Sequence, residues 1–167
     1  MSRAALHVWK MVVAAKARMK ERLESELADA KHQHAALVDE LVQANEGLEA
    51  AQSRRLAHEA RIEQLLGSAD GLSPTAYLDY DRYRAPLAEA LDEARNAMRR
   101  ASDAADAQRE VVEQLGVAVR RADASLEAAR DQLKRAIAAA ERRVEERNDE
   151  EAGETAAARM HRGAQNV

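Results

Sequence analysis

Apolar residues recur in alternating steps of three and four along two stretches of this chain, and that period is its strongest constraint. The first seam runs from Leu6, Trp9 and Val13 through Leu23, Leu27, Leu37, Leu41 and Leu48 to Ile62 and Leu65. The second runs from Leu87, Leu91 and Met98 through Val112, Leu115, Val119, Leu126 and Leu133 to Ala140, with Arg143 and Arg147 at its last positions. A 3.5-residue repeat held over about nine heptads keeps one stripe facing a partner helix and imposes a left-handed supercoil. Composition agrees: 39 of the 167 residues are alanine, and Val, Ile and Leu number only 11, 2 and 16. Large aliphatics are too few for an ordinary globular core, so an α/β enzyme or a β-sandwich is not expected.

Gly67-Ser68-Ala69-Asp70-Gly71-Leu72-Ser73-Pro74 separates the two seams. Gly67 suits the left-handed residue that closes a helix, and Ser73 followed by Pro74 suits the start of the next. Pro86 breaks the pattern again, which implies a short helix angled to the long one. The expected fold is all-α, a long two-helix antiparallel coiled-coil hairpin over residues 1–148. Its parts are helix 4–66, turn 67–74, short helix 75–84 and helix 86–148, with 149–167 a flexible tail lacking a seam. Setting Leu65 opposite Leu87 makes facing residue numbers sum to 152 and brings Leu6 near Glu146. Each arm would then be about 90 Å long at ~1.5 Å per residue. A parallel homodimer is the rival, disfavoured by the turn.

Little catalytic chemistry is visible. With no cysteine there are no disulfides, thiol nucleophiles or thiolate metal sites. His58-Glu59 opens a zinc-protease pattern, but the second ligand position is Ile62. His32 and His34 point to different sides of a helix. Acid pairs such as Glu145-Glu146 have no cleft to raise a pKa. No enzyme activity, cofactor or metal is expected. The arginine doublets, Arg99-Arg100 and Arg120-Arg121 among them, are surrounded by acids in a chain of net charge −4, so nucleic acid is not an expected partner. Lys10 and Lys16 bracket the Met11–Ala15 run, leaving neither a signal-peptide core nor a membrane span; direct membrane insertion is not expected.

Two places stand out. All three tyrosines, Tyr77, Tyr80 and Tyr83, fall with Arg82 at the hairpin tip, where they can anchor a partner or cap the coil. At the other end Val8, Met11, Val12 and Met19 lie off the seam beside Trp9, on a helix with no acid before Glu21. A two-helix hairpin cannot cover apolar residues all round one helix, so this end is expected to dock. A local contact with Val144 or the tail would cover it instead. Lys16 and Lys20 occupy seam positions where burial is costly without a partner, so the coil is expected to splay there.

The opening Leu6-His7-Val8-Trp9-Lys10, the matched seams and the Gly-Ser-Pro turn resemble the central-stalk proteins of type III secretion, the YscO and FliJ family, and especially its Hrp-type members from plant-associated bacteria. The resemblance covers nearly the whole chain and is architectural. It implies a coiled coil similar to the rotary stalk of F- and V-type ATPases, linking a hexameric secretion ATPase to the cytoplasmic ring of the export gate, with export chaperones as further partners. It also implies a cytoplasmic place, peripheral to the inner-membrane apparatus. Mapped regionally, the ATPase end would be Val8, Trp9, Met11, Val12, Lys16 and Lys20 with Arg143 and Arg147. The gate end would be Tyr77, Tyr80, Arg82 and Tyr83. A cytoplasmic coiled-coil chaperone or scaffold is the alternative.

Overall fold

The computed structural model describes residues 3–164. It is a helical hairpin of three helices: α1 (Arg3–Leu66), α2 (Pro74–Arg82) and α3 (Arg84–Ala164). No strand occurs among the described residues, and no helix is long and apolar enough to cross a membrane.

The turn forms for local reasons. Past Leu66 the Gly67 amide still bonds the Glu63 carbonyl at 3.0 Å, and the Ser68 hydroxyl donates to the Leu65 carbonyl at 2.8 Å. Those bonds keep Gly67 in helical register, so the left-handed residue is Gly71, at φ +64°, rather than Gly67. Ser73 then caps α2 as expected, its hydroxyl accepting the Ala76 amide at 3.2 Å with Pro74 in the first turn.

Contacts divide the chain into a terminal unit (Met1–Ser25 with Val117–Val167) and a turn unit (Glu26–Gly116). In the terminal unit Leu126, Ala129 and Ala136 are buried, flanked by half-buried Trp9, Val13 and Leu23. In the turn unit the core is Ala30, Ala51, Ile62, Leu91 and Ala105. The predicted seam positions from Leu6 to Leu65 and from Leu87 to Ala140 are buried or half-buried, with Arg55 exposed. Alanine supplies most of these core positions, which lets the helices approach closely but buries little apolar area at each step.

The register differs from the expected one. Facing residue numbers sum to 141 at Lys16–Ser125 and 143 at Lys20–Asp123 in the terminal unit. In the turn unit they sum to 141 at Gln33–Gln108 and 143 at Glu59–Arg84. The cause is α2. Pro86 has no amide hydrogen and crowds the carbonyl of Arg82, so the helix is interrupted at Tyr83. Tyr83 nevertheless keeps right-handed helical angles (φ −81°, ψ −12°). In the turn unit α2 therefore packs against α1 as the beginning of the return arm, and Leu87 is not its first layer.

A second difference follows. With this register Leu6 faces the neighbourhood of residue 135, not Glu146, so α3 outruns α1. Instead of an irregular tail from 149, α3 stays helical to Ala164, and every residue from Glu141 to His161 is exposed. The seam positions there are Arg143, Arg147, Glu150 and Glu154, which no apolar partner would cover. Arginine and glutamate spaced three and four apart, such as Arg142 with Glu146 and Arg147 with Glu151, support an unpartnered helix.

Candidate functional site

In the turn unit α2 is fastened to α1 by a cluster around Arg84. Its guanidinium grips Glu59 in two parallel bonds, Nε to Oε1 at 3.0 Å and Nη2 to Oε2 at 2.9 Å. Its Nη1 donates to the Tyr77 hydroxyl at 3.2 Å and to Asp81 at 3.0 Å, and the guanidinium lies 5.9 Å from the Tyr77 ring centre. The bond from Arg84 holds the Glu59 carboxyl below its usual range, and the same bond raises the Arg84 guanidinium.

His58 completes the fastening. Its Nε2 donates to the Tyr80 carbonyl at 2.9 Å, a carbonyl in the last turn of α2 that also accepts the Tyr83 amide. The His58 ring stands 5.9 Å from that of Tyr80 and 6.2 Å from that of Tyr83. Beside them lies a groove of about 560 Å³ lined by His58, Ala76, Asp79, Tyr80 and Tyr83.

The tyrosines thus divide. Tyr77 and Tyr80 are half-buried and hold α2 to α1, whereas Tyr83 is 64% exposed, with Leu78 also exposed on α2. Arg82 is exposed and pairs with Asp79 at 3.3 Å. Sequence reasoning missed His58, Glu59 and Arg84 as members of this cluster. His58 lies on the seam, but setting it against Tyr80, and Glu59 against Arg84, required the true register.

In the terminal unit Lys16 and Lys20 do not splay the coil. Lys16 donates to the Ser125 hydroxyl, and Lys20 donates to Asp123 at 2.6 Å with Glu24 at 3.6 Å. The Asp123 carboxylate accordingly raises the Lys20 ammonium above its usual range. Trp9 lies next to them over small residues, in a groove of about 240 Å³ shared with Lys16, Ser125, Ala128, Ala129 and Gln132. Val12 is half-buried, while Val8, Met11 and Met19 are exposed. Val144 is itself exposed and covers none of them. Arg143 and Arg147, expected beside this stretch, are exposed on α3 beyond the start of α1, because the register moved. Among the described residues no His, Cys, Asp and Glu group could hold a metal.

No curated protein and no solved structure matches the chain. The model of the HrpB7 family, bacterial type III secretion proteins, matches residues 4–160, almost the whole helical hairpin, and the chain belongs to that family.

Proposed function

We propose that this chain is a non-enzymatic stalk of the type III export apparatus, linking the hexameric secretion ATPase to the cytoplasmic ring of the export gate. The observation that carries the reading is the apolar stripe Val8, Met11 and Met19, exposed on a helix already committed to a seam with α3. Exposed apolar residues grouped on one helix face mark a contact with another protein. Tyr83 and Leu78, exposed at the turn, supply a second surface for the gate or an export chaperone.

Lys20 is a poor probe of the ATPase end, since a glutamate there would repel Asp123 and disturb the hairpin itself. The stripe is the cleaner probe. ATP turnover by the hexamer is measured with the wild-type chain and with V8E/M11E, whose helicity is checked in parallel. The proposal expects stimulation by wild type and its loss in the variant. Equal stimulation by both would remove the stripe from the ATPase contact.

A further inference from the structure

The exposed stripe of α1 has a chemical complement on the same chain. At about 100° per residue, the exposed Val8, Met11, Ala15 and Met19 share roughly 80° of helix surface on the side away from the seam, with the half-buried Val12 between them and it. This stripe lies on a segment whose only charged residues up to Glu21 are basic, Lys10 and Arg18 among them. At the end of α3 the pattern is inverted. Ala152, Gly153, Ala156 and Ala157 form a face of small residues bordered by Met160, all exposed. The acids Asp149, Glu150, Glu151 and Glu154 accompany it, and Arg159 is the one Lys or Arg from 148 to 160. Bulky side chains among bases meet a flat face among acids.

The two surfaces cannot meet within one chain. Residues near 135 face Leu6, so 152–160 lie roughly 25–40 Å past Leu6 at ~1.5 Å per residue. A second copy turned end to end removes that gap. Placing 152–160 of one copy on 8–19 of the other puts the reciprocal pair at the same level, so a two-fold axis closes the contact without leaving a surface for further growth. We infer that the chain self-associates as a symmetric dimer through its terminal unit, the end of α3 of each copy lying in the Val8–Met19 stripe of the other. The dimer gives the charge-laced end of α3 a packing partner, offsetting the helix-weakening effect of Gly153. It also covers the surface assigned above to the ATPase, so the two contacts exclude each other. The inference does not rest on that assignment, because it is tested on the chain alone.

The test is sedimentation of the full chain over a concentration series at low and high salt. Three variants are compared: E150K/E154K, R18E/R22E (the bases that border the stripe at ~100° per residue), and the four substitutions combined. All four positions are exposed, and circular dichroism confirms that helicity is kept. The expected result is a reversible dimer weakened by salt, about tenfold or more weaker in each double variant and restored in the combined one. A chain that stays monomeric at low salt overturns the inference. So does a dimer that neither reversal weakens, or one that the combined variant fails to restore, because the contact then lies elsewhere.

Discussion

Replacing Ile62 by alanine removes one of the few large side chains that the turn unit buries. Ile62 is 2% exposed, and the other core positions of that unit are three alanines and Leu91. Losing three carbons at about 0.8 kcal/mol each gives ~2.4 kcal/mol from transfer alone. The cavity left behind adds to this at ~24 cal/mol per Å³, and the helix backbones cannot close fully around it, so ~3 kcal/mol is expected. For a chain of this size that lowers Tm by roughly 6–12 °C. The control is Leu56→Ala, six residues away at 70% exposure, which should change stability by no more than ~0.5 kcal/mol. Urea melts followed by circular dichroism, with amide exchange across residues 50–100, separate the two variants. Equal losses for Ile62→Ala and Leu56→Ala would refute the packing argument, because the seam would not then be where the stability resides.

The register is open to direct chemical proof, since the chain has no cysteine of its own. K16C/S125C should be bridged within one chain by a short bis-maleimide reagent that replaces the reach of the lysine, whereas L6C/E146C should not; the reverse would restore the register read from sequence. A pH titration tests the turn cluster. Glu59 is depressed in the folded chain by Arg84, so its contribution is complete above the unfolded value of 4.5 and is lost as pH falls through the lower folded value. The Tyr77 and Tyr80 ring resonances should therefore shift in a step below pH 4.5, and the same step surviving unchanged in Glu59→Gln would assign it elsewhere.

The two seams were legible because a large residue at every second or third seam position suffices to mark a stripe, and Ser73-Pro74 marked the start of α2 by its cap. The register was not legible. Alanine occupies so many seam positions that apolar matching scores nearly alike at several offsets. The decision lies with polar pairs, Lys20 with Asp123 and Arg84 with Glu59, whose partners are unknown until the offset is known. Treating Pro86 as a change of direction hid the fact that Tyr83 continues the helical path. The end of α3 was hidden for another reason: apolar period reports helices that have a partner, and residues 149–164 have no second arm to face. The exposed stripe of Val8, Met11 and Met19 was visible because it is excess apolar surface, whereas Arg143 and Arg147 were placed beside it by the wrong offset.

The polar pairs also decide how the two arms respond to an axial load. An alanine seam alone would let one arm creep along the other, since a shift of one heptad presents much the same surface. Here such a shift carries Lys20 from Asp123 to Arg130 in one direction or to Gly116 in the other, and carries Arg84 from Glu59 to Gln52 or Leu66. Each alternative gives up a charge pair or sets like charges together, a modest cost at partly exposed sites that still separates one offset from the next. Within each unit slippage is therefore stepped, since every shift by a heptad parts a charged pair before alanine meets alanine again.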